Sequence, residues 1–566
     1  MKTTHITIPV VLMSMMLSSC ALIDNVKSIF QPKPSDTTST NTAGSSDTGS
    51  GTTTGSTSSS ILWEGKTNED FGYADITYTD SKGNTKDLTR NTLYLNQNAP
   101  HLDSLAAEPH VMIVPFGFTD ANLQSRQTQD TIDRMETTFF GTREELDAVG
   151  AWESLATYYQ KSSYGKSNFS GQVLPTWCVY NGTSTEFYNK YKSGLGINAA
   201  SYAAQWYQTE YAKTNHGSLG ADAHPFSWFD SDGDGFLDLV WIVYSHATGT
   251  TSDWWAYVTY TNNSSNKATP SVKTLGFASI DWMNNGFNGY DPHTFIHETG
   301  HTYSLDDYYD YNNTWTPMCG VDMMDHNLGD HCMYSKFSLG WTSPLVVDDT
   351  AQITLRPGTT TGDCFIIPSP GYNGTCFDEY MMVELMAPVG LAEQDYKNGY
   401  SGTSGFDKAG IRITHVDSRA YRSNTDRITG TGTVAPQDCV DLRLDNTYGG
   451  RGIENDYFVN ENGGKNYMNQ IGVMVSNGKM WDKGLSIDSG ALFKKGARFN
   501  LNKGTSWAAT MPSKTNLWNK AKVNKSNFDT YTIDETCTFD YNLKVISIEE
   551  DPIYGYKAVV QVNREK

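Results

Sequence analysis

The stretch DPHTFIHETGHTYSLDDYYD, residues 291–310, contains the pattern His-Glu-X-X-His at residues 297–301. Two histidines four residues apart on a helix project from the same face and can bind one ion, and the glutamate beside the first leans toward that ion without having to ligate it. This geometry is typical of a zinc site that keeps one position for water. We therefore expect a helix with His297 and His301 as zinc ligands and Glu298 as the catalytic base.

The start of this helix is marked by Asp291 and Pro292, because an aspartate can cap a helix and a proline suits its first position. His293 lies one turn before His297 on the same face. Eight residues of helix rise about 12 Å, so His293 and His301 cannot both bind one ion. The glutamate favours the later pair of histidines.

Upstream, the stretch FDSDGDGFLDLVWIV at residues 229–243 matches the first nine positions of a calcium loop. Four carboxylates this close repel one another strongly without a cation, although a solvated acidic turn is the alternative. Trp241 stands where an EF-hand has its bidentate glutamate, and a strand follows, so a structural calcium loop of another type is expected. The predicted ligands are Asp230, Asp232, Asp234, the backbone carbonyl of Phe236, and Asp238.

The composition limits the classes of partner. A chain of 566 residues is too long for one core. Its formal net charge of -21 argues against a nucleic-acid partner, because phosphate binding needs a basic surface. The sequence has no C-X-X-C pair, so a cysteine zinc site is not expected. Bridges between Cys319 and Cys332 and between Cys364 and Cys376 stay open.

The N-terminus predicts a lipoprotein signal peptide at residues 1–19. The apolar run at 6–17 is too short to span a bilayer, and it ends in Leu-Ser-Ser-Cys, which resembles a bacterial lipobox with Cys20 as the lipidated residue. An ordinary signal peptide is the alternative. Residues 20–60 are then the lipidated cysteine and a flexible Ser/Thr/Gly-rich linker. We expect an exported protein, held at the cell envelope or surface only by its lipid and open to being shed.

The periodicity of apolar residues predicts two further domains. In residues 61–343, apolar strands such as 111–118 alternate with segments of helical spacing, which favours an α/β layer. In residues 344–566, short alternating apolar stretches separated by Gly, Asn and Asp predict an antiparallel, sandwich-like β domain. This second domain carries no motif with chemistry of its own. It could support the cleft or bind a substrate or carbohydrate surface.

Several segments, in the same order, resemble the immune inhibitor A family of secreted bacterial metallopeptidases, within the metzincin clan. The likeness covers most of residues 62–417 and implies a metzincin-like α/β zinc peptidase domain. The segments are SSYGK at 162–166, SGQV at 170–173, FDSDGDGFLDLV at 229–240, HETGHTYSLDDYYD at 297–310, MMDHNLGDHCMYSKFSLGW at 323–341, EYMMVE at 379–384 and GIRITHVD at 410–417.

The resemblance implies roles for further residues. Asp307 stands ten residues after the first histidine of the motif, where metzincins have their third zinc ligand, and Asp306 and Asp310 compete with it in the same turn. A distant glutamate such as Glu384 is the other rival. Met324 fits the methionine turn that metzincins carry beneath the zinc, and Met323 is the alternative for that position.

Two positions need separate comment. Ser304 departs from the family, which has a glycine before the third ligand, and a left-handed backbone costs a residue other than glycine about 1 kcal/mol or more. His326 stands two residues after Met324, where some metzincins carry a tyrosine that helps the transition state. A histidine on the surface, or one that supports its neighbours, is the alternative for His326.

The resemblance implies a cell-surface zinc endopeptidase that cleaves extracellular proteins or peptides. Zinc would be bound by His297, His301 and Asp307, and would activate water and polarise the scissile carbonyl, while Glu298 would carry the proton to the leaving amine. We expect a monomer. The alternative is a surface adhesion or glycan-binding lipoprotein with an inactive peptidase fold.

Overall fold

The structure is a computed structural model, and the predicted signal peptide, Cys20 and the linker lie outside the residues it describes. Asp306 and Asp310 lie outside them too. The described residues are 77–79, 84–87, 101–102, 105–248, 252–305, 307–309, 318–369, 372, 374–376, 378–400, 403–417, 457–459, 465–467, 471–476, 490–501, 521–523, 531–533 and 539–565.

The first half of the chain, up to residue 343, alternates strands with helices, as predicted for an α/β layer. Its strands are β1 (Thr77–Thr79), β2 (Thr85–Asp87), β3 (His110–Gly117), β4 (Ser170–Val173), β5 (Cys178–Val179), β6 (Phe236–Leu237), β7 (Leu239–Tyr244), β8 (Tyr257–Tyr260), β9 (Ser271–Val272) and β10 (Thr274–Ser279). Its α-helices are α1 (Ala121–Gln124), α2 (Gln129–Phe140), α3 (Arg143–Val149), α4 (Leu155–Ser162), α5 (Ser184–Tyr191), α6 (Leu195–Tyr211), α7 (His293–Thr302), α8 (Met323–His326) and α9 (Met333–Ser338). Short 3-10 helices lie at Lys192–Gly194, Thr214–Leu219, Phe226–Phe229, Ser252–Trp254, Ile280–Asn284 and Phe287–Gly289.

A six-stranded sheet forms the centre of this half. Its spatial order is β4, β3, β7, β10, β8, with β5 beside the end of β3. The first four of these strands run parallel, and β8 is antiparallel at the edge. Alternate residues of β3 point to opposite faces: Val111 and Ile113 pack in one core with α2, α4 and α7, whereas Met112 and Val114 pack in another with α5 and α6. Helices therefore cover both faces, which explains the continuous apolar sequences of β3 and β7.

A close contact between β7 and β10 places α7 on this sheet. Trp241 and Gly276 are paired in register, and a Cβ on Gly276 would lie 2.6 Å from the indole ring. Glycine at this position therefore makes room for the tryptophan. The indole Nε1 donates to Thr299 Oγ1 on α7 at 3.2 Å, and Phe295 of the same helix packs on Phe139 of α2 with ring centroids 4.9 Å apart.

The second half consists mainly of strands. They are β11 (Leu345–Val346), β12 (Ala351–Leu355), β13 (Cys364–Pro368), β14 (Glu379–Met386), β15 (Gly410–Asp417), β16 (Tyr457–Val459), β17 (Lys465–Tyr467), β18 (Ile471–Val473), β19 (Arg498–Phe499), β20 (Ala521–Val523), β21 (Tyr531–Ile533), β22 (Tyr541–Asp551) and β23 (Gly555–Arg564). Two helices join them, α10 (Gly358–Thr361) and α11 (Leu391–Asn398). Among the described helices of both halves, none has the length and apolar character needed to cross a membrane.

Two sheets of this half pack on each other. One has the order β11, β13, β14, β15, β18, and the other has the order β12, β23, β22, β19. All their pairings are antiparallel except that of β11 with β13. Phe365 and Met381 of the first sheet share a buried cluster with Ile353 and Val560 of the second. The fold is thus a mixed α/β half followed by a half built from sheets.

The five-stranded sheet also packs on the first half of the chain. Ile366 and Met382, whose sequence neighbours face the other sheet, belong to the same buried cluster as Phe295 of α7 and Met324 of α8. The sheet is therefore a middle layer with an apolar core on each face, and one of these cores contains residues from both sides of position 343.

The cysteine bridges considered from the sequence are not formed. Cys319, Cys332, Cys364 and Cys376 are all buried thiols. Burial raises the pKa of the Cys319 thiol to about 12, so it stays protonated at neutral pH.

Candidate metal centre

Helix α7 carries the His-Glu-X-X-His pattern and is buried along almost its whole length. It begins at His293, one residue later than predicted, with Pro292 as the residue before the first turn. The N-cap position is therefore Pro292 and not Asp291 as predicted, although Asp291 Oδ1 still accepts a hydrogen bond from the backbone N–H of His293 at 2.9 Å. Tyr159 of α4 donates from its hydroxyl to the carbonyl of Ile296 at 2.7 Å, so the helix is held from its outer side as well.

The structure brings His297, His301 and Asp307 together, with one potential ligand atom of each within 4.8 Å of the others. Asp307 Oδ1 lies 2.9 Å from Nε2 of His297 and 3.4 Å from Nε2 of His301. The Nδ1 atoms contact the backbone carbonyls of Met323 and Leu305, both at 2.8 Å. Since a carbonyl can only accept, each Nδ1 carries a hydrogen, which leaves both Nε2 atoms directed at Asp307.

Ser304 makes the turn that returns the chain from α7 to Asp307. Its φ is 64°, in the left-handed region, so the chain adopts with serine the conformation that a glycine would adopt freely. Backbone bonds from the N–H of Ser304 to His301 (3.0 Å) and from Leu305 to Gly300 (3.3 Å) close the turn. Serine in place of glycine therefore costs strain of about 1 kcal/mol without preventing the turn.

Met324 lies directly against α7. A Cβ on Gly300 would be 2.5 Å from its sulfur, so the methionine packs where the helix has no side chain. Asp322 fixes this segment, because its two carboxylate oxygens accept hydrogen bonds from the N–H groups of Met324 and Cys332, each at 2.7 Å. The carbonyl of Met324 in turn accepts a hydrogen bond from the backbone N–H of Tyr308 at 2.8 Å. This bond connects the segment to the residue after Asp307.

Charges within the centre reinforce one another. Burial alone would raise the pKa of Asp307, but His301 and His297 outweigh it and hold that pKa well below its ordinary value. Burial alone would lower the pKa of His301, but Asp307 and then Glu298 raise it to about 9. Two imidazole nitrogens and a carboxylate oxygen form a donor set that suits zinc, and a divalent cation would compete with the protons that these groups share.

Glu298 lies beside the ligands and does not belong to the converging group. Its side chain is buried, and burial raises its pKa, while His301 and His297 oppose that effect. The backbone of Val258, on the edge strand β8, lies close to the carboxylate and opposes the rise of its pKa. Tyr260 on the same strand donates from its hydroxyl to the carbonyl of His301 at 2.8 Å. The carboxylate therefore sits between the ligands and the edge of the six-stranded sheet.

The aspartate loop forms the second converging group. Asp230, Asp232 and Asp238 place ligand oxygens within 4.8 Å of one another. Asp234 stays outside this group, and its Oδ1 accepts from the N–H of Phe236, whose carbonyl is the fifth predicted ligand, at 2.7 Å. Backbone N–H groups satisfy part of the loop's charge: Asp238 accepts from His110 at 2.7 Å and from Ser231 at 3.1 Å, and Asp230 accepts from Gly235 at 3.1 Å.

Glu384, the distant rival for the third ligand, lies in a buried ion pair instead. Its Oε1 accepts from Nε of Arg412 at 2.9 Å and is 2.8 Å from Nη2 of the same residue. Arg412 also donates to the carbonyl of Val321 at 2.8 Å, next to the start of the Met324 segment. Among the residues that the structure describes, Asp307 is therefore the candidate for the third ligand.

His326 is partly exposed, and its Nδ1 lies 2.8 Å from Asp325 Oδ1.

No protein-family model matches the chain, and no curated protein is significantly similar to it. The geometry of the two converging groups is therefore the main ground for a function.

Proposed function

We propose that the chain is a zinc-dependent endopeptidase of the metzincin type, with zinc held by His297, His301 and Asp307. The observation that supports this is the convergence of their three ligand atoms within 4.8 Å, with Glu298 buried one residue from the first ligand. Both Nδ1 atoms are committed to backbone carbonyls. The ring nitrogens needed for a metal therefore already have the tautomer that a ligand requires.

Bound zinc would supply Lewis acidity, lowering the pKa of a water molecule and polarising the scissile carbonyl. Glu298 would accept a proton from that water at a carboxylate oxygen and then donate it to the nitrogen of the leaving amine. Burial raises the pKa of Glu298, which favours its temporary protonation. An aspartate ligand is anionic and leaves zinc less acidic than a third histidine would, so we expect activity to be greatest near or somewhat above neutral pH.

The position of β8 supports a peptide as the substrate. The strand is the outer strand of the six-stranded sheet and is antiparallel to β10. Val258 and Tyr260 of this strand contact Glu298 and His301. An extended peptide can add to such an edge through its main-chain groups, which would bring one of its carbonyls next to Glu298. Main-chain recognition of this kind suits proteins of many sequences.

We also propose a structural calcium ion in the loop that carries Asp230, Asp232, Asp234 and Asp238, held by the carboxylates of Asp230, Asp232 and Asp238. Convergence of three of these carboxylates supports it, and oxygen ligands are those that calcium prefers. Backbone N–H groups already offset part of the repulsion within the loop, so a solvated acidic turn stays the alternative.

We also propose that a lipid on Cys20 holds the enzyme at the cell surface, where it acts as a monomer on extracellular proteins.

The experiment compares the wild type with Glu298→Ala for zinc content and for hydrolysis of casein. We expect zinc in both proteins and a loss of hydrolysis of about 100- to 10,000-fold in the variant, the usual contribution of a catalytic base. Glu210→Gln is the matched control, because Glu210 is a buried glutamate on α6, on the opposite face of the sheet; it should keep both zinc and hydrolysis.

Full hydrolysis by Glu298→Ala would show that the mechanism is wrong. A wild type that neither binds zinc nor cleaves casein would favour the adhesion or glycan-binding lipoprotein, which needs the same fold but not the chemistry.

A further inference from the structure

His293, the histidine that cannot reach the zinc ligands, is bound at both ring nitrogens. Its Nδ1 lies 2.7 Å from Asp291 Oδ1, and its Nε2 lies 2.7 Å from Asp395 Oδ1. All three side chains are at most 1% exposed. The ring is sandwiched between Trp152 and Tyr400, with centroid distances of 4.5 Å on each side. Ionised carboxylates only accept hydrogen bonds, so the arrangement is that of an imidazolium shared by two aspartates.

The second oxygen of Asp395 has a different partner. It accepts a hydrogen bond from the backbone N–H of Gly329, three residues after the end of α8. One carboxylate from α11 therefore joins the start of α7 to the loop that leaves α8. Gly329 itself has a φ of 74°, a left-handed conformation that glycine adopts without strain.

Other residues of the segment 391–400 contact α7 and the elements around it. The hydroxyl of Tyr400 is 3.0 Å from Thr294 Oγ1 on α7 and accepts from Asn285 Nδ2 at 3.3 Å. The carbonyl of Leu391 accepts from Trp152 Nε1 at 3.1 Å. The segment thus holds the first turn of α7 by two side-chain contacts, from Asp395 to His293 and from Tyr400 to Thr294.

The two elements joined by Asp395 are the ones that orient a zinc ligand. Helix α7 supplies the ring of His297, and α8 supplies the carbonyl of Met323 that accepts from its Nδ1 at 2.8 Å. A shift of one element against the other would break or redirect that bond. Partners of this kind, which hold a ligand in place without touching the metal, typically change metal affinity or activity 10- to 100-fold when mutated.

We propose that Asp395, together with His293, is a positioning residue of the metal centre, and that the segment 391–400 of the second half supports this centre and is not a separate binding module. The inference rests on the zinc peptidase proposed above and assigns it a further determinant, 88 residues beyond Asp307 in the sequence. It also gives the second half a role that its own sequence does not indicate.

The test uses Asp395→Asn in the full chain. Asparagine keeps the shape but can no longer accept from both His293 and Gly329 with two oxygens. We expect about 10- to 100-fold weaker zinc binding in competition with a chelator. At saturating zinc, kcat should fall while KM for a peptide changes little, because the substrate edge at β8 is untouched. Hydrogen exchange should rise in α7 and in residues 323–329 together.

The matched control is Asp363→Asn. Asp363 forms an equally buried pair with Arg356, with contacts of 2.7 and 3.0 Å, in the second half and away from α7 and α8. The Asp363→Asn variant should have a lower melting temperature, with unchanged zinc affinity and unchanged hydrogen exchange in α7. His293→Gln should give a smaller loss of zinc affinity than Asp395→Asn, because glutamine retains a donor for Asp395.

Zinc affinity, kcat and exchange at wild-type levels in Asp395→Asn, with only the melting temperature lowered, would overturn the proposal. This result differs from a failure of the proposed zinc peptidase. If the peptidase proposal failed, the wild type would bind no zinc, and hydrogen exchange in α7 and in residues 323–329 would still show whether Asp395 positions the two elements.

Discussion

The histidine group at residues 297–307 and the aspartate group at residues 230–238 each place three ligand atoms within 4.8 Å, but their supports come from different distances along the chain. Within the aspartate group, most of the N–H donors belong to the loop itself, and one, the N–H of His110, lies 128 residues from its acceptor Asp238. In the histidine group, Nδ1 of His297 is held by a carbonyl 26 residues away. The start of its helix is held by Asp395, 102 residues from His293. The first site is therefore encoded mainly by a short motif with one distant support, whereas the second depends on several distant parts of the fold.

Burial separates the two groups as well. His297 and Asp307 are 4% and 2% exposed, whereas Asp232 is exposed to solvent. Water and salt screen charges at the surface, but a buried charge needs a partner or it destabilises the fold. We therefore expect changes in the histidine group to have larger effects than changes in the aspartate group.

The largest effect is expected for Asp307→Ala. Removing a direct ligand should weaken zinc binding by more than the roughly 100-fold upper value for indirect partners, and hydrolysis should disappear with the metal. Competition with a chelator measures the affinity. Asp238→Ala is the control from the other group and should leave zinc affinity unchanged. Equal loss in both variants would mean that the two sites are not independent.

The next effect is a dependence of stability on pH that arises from His293. Burial would lower its pKa, but Asp395 and Asp291 raise it to about 10 in the folded protein, against about 6.5 when unfolded. Its stabilisation is therefore complete below pH 6.5 and is lost as the pH rises toward 10. Urea titrations of the wild type should show the free energy of unfolding falling over this pH range. Each tenfold difference in proton affinity between the folded and unfolded states corresponds to about 1.4 kcal/mol.

In His293→Gln the contribution disappears, so the free energy of unfolding should be lower at neutral pH and flatter between pH 6.5 and 10. Glu210→Gln again serves as the control and should retain the slope of the wild type. An unchanged slope in the histidine variant would show that the imidazole does not carry the charge.

A smaller effect is expected in the aspartate group. Addition of EGTA should lower the melting temperature of the wild type, because a ligand bound only by the folded state stabilises it by about 2.7 kcal/mol at 100 times its dissociation constant. Asp238→Asn should lower the melting temperature without EGTA and abolish the further shift. A wild type that does not respond to EGTA would leave the loop as a solvated acidic turn.

The smallest effect concerns Ser304. Glycine at this position relieves the left-handed strain, so Ser304→Gly should raise the free energy of unfolding by up to about 1 kcal/mol, less any contact that the serine makes. Ser201→Gly, on the exposed face of α6, should instead lower it by about 0.5–1 kcal/mol, because glycine weakens a helix. Chemical denaturation measures both. The same sign in both variants would argue against strain at 304.

Local patterns predicted much of the candidate site. The spacing of His297 and His301 placed them on one face of a helix, and the resemblance to a peptidase family indicated Asp307 and Met324. The structure brings Asp307 to the two histidines and Met324 against Gly300. The alternation of strands and helices predicted the mixed α/β half, and the alternating apolar residues predicted the sheets that follow. These features depend on residues that are close in sequence, because the periodicity of a helix or strand determines which of their side chains lie on the same face.

The supports of the site were not predicted, and the reason is distance. Arg412 and Val321 are 91 residues apart, and no periodicity links them. Asp395 lies on an amphipathic helix like many surface aspartates, so nothing in its neighbours marks it as buried. Helix geometry keeps His293 from sharing an ion with His301, and in the sequence only the nearby Asp291 hints at another role for it. The exclusion of Asp234 from the converging group reflects a bond to Phe236 within the turn, which spacing alone does not reveal.

The five-stranded sheet, with one face in each core, has an evolutionary consequence. Modules that fold separately can be exchanged by recombination, since each brings its own interior. Here a crossover near codon 343 would combine α7 from one parent with Asp395 and Arg412 from another, and the two parts of the shared core would no longer match in the new protein. The two halves should therefore descend together, and a change at position 293 should be tolerated most easily when position 395 changes with it.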